Sequence, residues 1–332
     1  MIIKLNIKNV GGLHMDKPLL SVIVPSYNEE ENIDAFYRAM RDEVASTHYR
    51  LEVIFVDDGS SDRTLIELQR LSKWHSNVKY VSFTRNFGKE SAILAGFQHA
   101  KGDCLIVIDA DLQHPVELVH ELLLGFEEGY DQVIAQRDRK GESFLRSTLS
   151  TLYYKLMNKV VDVKLENGVG DFRLLSRRAV DALLVLSEGN RFSKGLFSWI
   201  GFDQKVVHYE NVIRKNGQSK WSMQKLINYG IDGIVSFNMK PLRLCLYAGS
   251  GILLFSLAYI LYTFYQITQT GVDVPGYFTL ISAILFLGGI QLVSLGIIGE
   301  YIGRIYNETK RRPHYLVKET NLDRGIRYEK AK

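Results

Sequence analysis

Four times within its first 111 residues the chain runs through a short apolar stretch and stops abruptly at polar or charged residues. Leu19 to Val24 stops at Pro25 and is followed by Tyr27, Asn28 and Glu29; Leu51 to Val56 ends in Asp57 and Asp58. Val78 to Phe83 leads into Arg85 and Lys89, and the run CLIVIDADLQHP, Cys104 to Pro115, ends in Asp109 and Asp111. Short, unbroken apolar runs suit strands that are covered on both faces. Between them, Glu29 to Arg41, Asp62 to Trp74 and Glu90 to His99 carry apolar residues at helical spacing, for example Ile33, Phe36, Tyr37 and Met40. Gln132 to Ala135 is a fifth candidate strand. Strands alternating with helices through short links predict a mostly parallel, doubly wound α/β sheet. In such sheets ligands gather just beyond the carboxyl ends of the strands.

Each strand would therefore deliver its polar residues to one edge. Asp109 and Asp111, separated by one small residue, form a hard-oxygen pair suited to Mg2+ or Mn2+ carrying a diphosphate. Taken alone, an Asp-x-Asp is more often a solvated turn, and Asp57 with Asp58 reads equally well as a helix cap ahead of the Asp62 helix. Convergence from four strands is what favours a site over surface decoration. No Gly-x-Gly-x-x-Gly follows any strand and no Gly-Lys-Ser/Thr loop is present, which argues against a dinucleotide oxidoreductase or a phosphate-loop ATPase.

Composition changes sharply after about Asn211. Leu242 to Ile267 and Tyr277 to Ile298 contain a single charged residue, Arg243. Each is long enough to cross a bilayer, which takes about 20 apolar residues. The link from Thr268 to Gly276 has no Lys or Arg, whereas the tail carries Arg304, Lys310, Arg311, Arg312, Lys318, Arg324 and Arg327. By the positive-inside rule both the N-terminal region and the tail face the cytoplasm, making a multi-pass protein of the inner (plasma) membrane. Ahead of these spans Met223, Leu226, Ile227, Ile234 and Phe237 mark one side of a helix preceded by Arg214, Lys215, Lys220 and Trp221. This suits an interfacial helix, with packing on the soluble core as the alternative. MIIKLNIKNVGG lacks the apolar core of a signal peptide. Cys104 in a core strand and Cys245 in a span are not placed to pair, consistent with a reducing compartment. The net charge of +4 is modest and clusters beside the apolar runs, which points to anionic headgroups rather than nucleic acid.

The motifs SVIVPSYNEEENI, FVDDGSSDRT, RNFGKE, IDADLQHP, GDFRL (Gly170 to Leu174), RFSKGLFSWIGF (from Arg191) and GQSKW (Gly217 to Trp221), followed by two apolar spans, give the chain its family likeness. It resembles, over nearly its whole length, the family 2, GT-A fold glycosyltransferases that load sugars onto polyprenyl phosphate. The likeness is greatest to bactoprenol glucosyltransferases of the serotype-conversion type, and more distant to dolichyl-phosphate mannose synthase and aminoarabinose transferases. It implies a Rossmann-like GT-A catalytic domain over 19–211 after an extension at 1–18. An interfacial region at 212–240, a transmembrane hairpin at 241–305 and a basic tail at 306–332 would follow.

The resemblance also implies roles. Pro25, Tyr27 and Glu29 would line the nucleotide pocket, with Asp58, and Asp57 beside it, toward the base. Lys89, Arg214 and Lys220 join the donor-binding set, the last two on a loop that closes over the donor. Asp109 and Asp111, with Gln113, would hold Mg2+ or Mn2+ and the diphosphate; Arg137, Arg146 and Ser150 would grip the acceptor phosphate. Asp171 occupies a position discussed as a base, but a phosphate monoester with a second pKa near about 6 is already ionised at neutral pH. Asp171 is therefore read as orienting the sugar or a nearby cation. The reaction implied is one inverting displacement from a nucleotide sugar onto undecaprenyl phosphate, with UDP-glucose as first choice. UDP-GlcNAc, UDP-galactose, UDP-aminoarabinose and GDP-mannose are alternative donors, and a non-catalytic membrane scaffold is the alternative of another class. Family members are often tetrameric, so a homo-oligomer is expected. A processive synthase would need a Gln-x-x-Arg-Trp motif, which the chain lacks.

Overall fold

The computed structural model describes residues 17–137, 169–209 apart from 187 and 190, alternating groups of positions between 247 and 269, and 276–322. In chain order the elements are β1 (Leu19–Ser26), α1 (Ile33–Ala45), β2 (Arg50–Asp57), α2 (Thr64–Trp74), β3 (Val78–Phe83), α3 (Lys89–His99), β4 (Cys104–Val107) and α4 (Leu118–Glu127). There follow β5 (Gln132–Arg137), β6 (Val169–Ser176), α5 (Arg177–Val185), α6 (Ser193–Trp199), β7 (Gln204–Tyr209), α7 (Tyr277–Thr309) and β8 (Val317–Thr320).

The strands form one eight-stranded sheet in the order β7-β5-β6-β4-β1-β2-β3-β8. β4, β1, β2 and β3 are mutually parallel, as the alternation predicts. Side chains alternate between faces, so Val22, Val24, Val53 and Phe55 join a core with α1, α2 and α4. Ile23, Ile54, Val56 and Val81 join a second core with α3, α5 and α6 on the other face. Both faces are thus covered, which is why these strands read as unbroken apolar runs. Gly96 makes the α3 side of this packing possible, because a Cβ there would lie 2.2 Å from Ile23 Cγ2.

Three features differ from the alternation. The fifth strand exists, but β6, which carries the GDFRL motif, separates it from β4 and runs antiparallel to both neighbours. A reading of consecutive strands cannot see such an insertion. The segment after α7, read as a basic tail, returns to the sheet as β8, antiparallel to β3. Asn321 secures it by accepting from the Tyr80 amide at 2.8 Å and donating to the Val78 carbonyl at 2.9 Å. Helix α1 begins at Ile33 rather than Glu29, because Asn28 turns the chain at a left-handed φ of 55° and the next amides bond to the β2–α2 loop.

Among the described residues one helix is long and apolar enough to cross a membrane, within α7. Its outward Leu280, Ile284, Phe286 and Leu292 are more than half exposed, an arrangement that water disfavours and hydrocarbon accepts. Half of the expected first span falls on residues outside the described set, as does the whole expected interfacial helix with Arg214 and Lys220.

Candidate active site

The carboxyl edge of the parallel strands is built from loops that hold one another. Asn28 Oδ1, after β1, accepts from the Ser61 amide at 2.9 Å, and the Glu29 amide donates to Thr64 Oγ1 at 2.9 Å. The β2–α2 loop in turn meets the β3–α3 loop at Gly59, whose φ is +67° and where a Cβ would lie 2.3 Å from the Arg85 carbonyl carbon. Only glycine meets both demands, the left-handed backbone and the contact with a neighbouring main chain.

Asp57 and Asp58 brace these loops. Asp57 is 1% exposed; one oxygen accepts from the Ser60 amide at 2.9 Å and the other from Ser82 Oγ at 2.7 Å. The Asp58 carboxylate accepts from the amides of Phe87 at 2.6 Å and Gly88 at 3.0 Å. Burial pushes the Asp58 carboxyl above its usual value, against the pull of those two amides. Neither acid caps α2, whose N-cap is Arg63; Asp62, one residue earlier, accepts from the Thr64 amide at 3.0 Å.

Held in this way, the β3–α3 loop points Lys89 into the centre of the edge. Its ammonium lies 2.6 Å from Asp109 and 2.8 Å from Asp171, so it joins the end of β4 to β6. Burial opposes the charge on Lys89, but Asp171 and Asp109 outweigh it and hold its pKa above the usual lysine range. Burial would likewise raise Asp171, yet Lys89, with Lys194 and Arg173 behind it, holds that carboxyl well below the usual range. Asp171 in this state is an anion paired with the Lys89 ammonium.

Asp111 stands one turn away. Its Oδ1 accepts from the Gln113 amide at 3.1 Å across Leu112, which takes a left-handed φ of 54°. A non-glycine residue held there stores backbone strain of about 1–3 kcal/mol, the kind found where a loop is fixed for a purpose. Among the described residues no three carboxylate, imidazole or thiolate side chains cluster as a full metal cage. The donor set present, two hard carboxylates on one turn, fits a divalent cation that takes its other ligands from a diphosphate and water.

The structure brings Pro25, Tyr27, Glu29, Lys89, Asp109, Asp111, Gln113 and Asp171 to this edge, with Tyr27 44% exposed. Arg137 ends β5 beside Tyr209, whose hydroxyl meets His114 Nδ1 at 2.8 Å. Arg146, Ser150, Arg214 and Lys220 lie outside the described residues. Three site residues were missed from sequence. His114 is held against Phe172 with ring centroids 5.1 Å apart, and burial lowers its pKa against the pull of Asp109 and Asp111. Tyr209 arrives on β7, a strand no alternation announced. Glu90 accepts from the Ser193 amide at 3.1 Å and from its hydroxyl; burial, aided by the charge of Asp171, pushes the Glu90 carboxyl up to about 7. The one available signal was its place after Lys89 in RNFGKE.

A parallel-centred α/β sheet whose carboxyl edge gathers half-buried carboxylates and a paired lysine has the layout of an α/β enzyme with its site at the strand ends. Residues 21–184 match the family described as glycosyl transferase family 2, and residues 240–305 match the GtrB C-terminal hairpin. The chain is 64% identical over 308 residues to the putative glycosyltransferase CsbB of Bacillus subtilis, covering 93% of this chain and 94% of that one. It is 42% identical over 303 residues to the bactoprenol glucosyl transferase of Shigella phage SfII, covering 91% and 98%. A solved structure, the mannosyltransferase PcManGT from Pyrobaculum calidifontis in complex with GDP-Man and Mn2+, aligns over 90% of this chain and 88% of that chain at 17% identity and a TM-score of 0.46. The chain belongs to the family 2 glycosyltransferases.

Proposed function

We propose that the chain moves a sugar, glucose from UDP-glucose as first choice, onto undecaprenyl phosphate at the cytoplasmic face of the plasma membrane. One observation carries this reading. Asp109, paired with Lys89, and Asp111 lie half-buried at the carboxyl edge of a chain that matches a bactoprenol glucosyl transferase along 98% of that protein's length. A phosphate oxygen of the lipid forms the new bond to the anomeric carbon as the bond to the nucleotide diphosphate breaks, inverting the configuration to a β-linked product.

Pro25, Tyr27 and Glu29 line the nucleotide, and Lys89 faces the donor diphosphate. Asp57 and Asp58 act through the loops they brace rather than by touching the base. Asp109 and Asp111, with Gln113, are the residues to hold Mg2+ or Mn2+, which when bound offsets the charge growing on the leaving diphosphate. Arg137, with Arg146 and Ser150, receives the acceptor phosphate, and bidentate guanidinium contacts bring two anionic substrates together. Arg214 and Lys220 close over the donor. Asp171 keeps Lys89 in position and takes no proton, because the attacking phosphate is ionised at neutral pH. A span through α7, with β8 returning to the sheet, keeps the site beside an acceptor whose tail stays in the bilayer.

The test is transfer of radiolabelled sugar from a panel of UDP- and GDP-sugars to undecaprenyl phosphate in detergent, with and without Mg2+ or Mn2+. Metal-dependent label in the lipid from one donor is expected. Folded protein that yields no lipid product from any donor would overturn the reading in favour of a non-catalytic scaffold.

A further inference from the structure

A cavity of about 550 Å³ lies between the β3–α3 loop, Gly189, the last turns of α7 and the residues that follow it. Its charged lining is Arg85, Arg304, Lys310 and Arg312 against Glu300 and Glu308. Both carboxylates are already engaged inside the protein. Glu300 accepts from Arg304 at 3.2 Å, and Glu308 accepts from the Gly189 amide at 2.6 Å. The Lys310 ammonium stands 3.9 Å from the Tyr306 ring centroid and the Arg85 guanidinium 4.1 Å from that of Phe87. Arg85 also donates to the Asn86 carbonyl at 3.0 Å, which uses one of its five N–H groups, and an aromatic face satisfies none, so the lining holds two more cations than carboxylates and has donors to spare.

Depth decides what that charge meets. Helix α7 has 33 residues and is therefore about 50 Å long, whereas the hydrocarbon core of a bilayer is about 30 Å thick. With its apolar length in hydrocarbon, the turns from Glu300 onward emerge among headgroups. The neighbouring group richest in acceptors there is a lipid phosphate, which guanidinium and ammonium groups bind by charge-assisted hydrogen bonds.

We propose that this cavity binds the phosphate of an anionic phospholipid headgroup, at a site separate from the acceptor site at the sheet edge. The site also reaches the chemistry through one loop. Arg85 and Phe87 line the cavity, while the amides of Phe87 and Gly88 are held by Asp58 and the next residue, Lys89, meets Asp109. A headgroup seated on Arg85 fixes from the membrane side the loop that Asp58 fixes from the sheet side.

The experiment titrates the full chain in maltoside micelles with phosphatidylglycerol, phosphatidylcholine or inorganic phosphate, reading retained lipid by native mass spectrometry and the thermal midpoint. Phosphatidylglycerol is expected to be retained and to raise the midpoint, while the other two do neither. The double variant Arg85→Gln, Arg312→Gln should weaken retention about fivefold for each cation removed. Lys73→Gln with Lys101→Gln, which removes equal charge outside the cavity, should leave it unchanged. If the first double variant does not fold, Arg85→Gln and Lys310→Gln are read singly in the same way. Equal retention of the two lipids, undiminished retention in the cavity variants, or an equal midpoint shift from inorganic phosphate would overturn the proposal. Sugar transfer is not part of the readout, so this outcome and that of the transfer assay stand apart.

Discussion

The two edges of the parallel sheet use similar residues to opposite ends. At the amino edge Glu52 is buried and accepts from Ser21 Oγ and from the Lys101 amide, while Ser21 Oγ accepts from Gly102. Asp103 takes the Leu19 amide, Arg177 donates to the carbonyls of Ala100 and Gly102, and Asp131 takes Ser176 and Arg178. Most of these polar groups close on the main chain, with Asp131 paired to the Ser176 hydroxyl and Arg178, and they lock strand starts to their neighbours. At the carboxyl edge Asp57 and Asp58 also close on backbone amides, but Lys89, Asp109 and Asp171 close on one another, with side chains 41%, 32% and 19% exposed. A carboxylate satisfied by backbone amides is a fastening, whereas one satisfied by a mobile ammonium can exchange its partner for a substrate or a metal.

Substitutions can break that contrast. The largest effect on activity is expected at the open edge, where Asp111→Ala should lower sugar transfer by about 10³-fold while the thermal midpoint stays near wild type, since several kcal/mol of charge stabilisation are lost from the transition state alone. Gly59→Ala joins the two roles. A Cβ driven into the Arg85 main chain at φ +67° should cost about 2 kcal/mol or more and loosen nucleotide binding as well, read by thermal melting and by titration with UDP. At the amino edge, Glu52→Ala should cost about 1–3 kcal/mol by removing the acceptor of the buried Ser21 hydroxyl, with transfer per folded molecule unchanged.

Titration sharpens the contrast with smaller effects. Asp171 is depressed, so its contribution to stability is present above the unfolded Asp value near 4 and disappears as pH falls through the folded value. Lys89 is raised, so its contribution is present below the unfolded Lys value near 10 and disappears as pH rises through the folded one. The difference in melting temperature between wild type and Asp171→Asn should therefore stay constant from about pH 8 to about pH 9, above the range in which Glu90, itself raised by the charge of Asp171, titrates. Glu90 has the opposite sign. With its carboxyl raised to about 7 the folded chain holds that proton more tightly, so stability falls as pH rises from the ordinary Glu value near 4 through 7. Glu90→Gln should flatten that slope in a pH series of melts.

Sequence by itself determined the parallel centre of the sheet and the acids at its carboxyl edge. Strands covered on both faces must be apolar throughout, and the residues that end them must leave the core together. It also marked α7, because so long an apolar stretch has few places to go but hydrocarbon. Tertiary structure alone decided the pairings that join distant segments. β6 enters antiparallel between β4 and β5, β8 comes back from the far side of α7, and Lys89 chooses Asp109 and Asp171 among all the acids on the edge. Local periodicity records which face a residue shows, but not which remote partner meets that face. The same limit hid the difference between Asp57 and Asp111, each a carboxylate at a strand's end: Ser60 and Ser82 enclose the first, whereas the second is half-buried and accepts from the Gln113 amide.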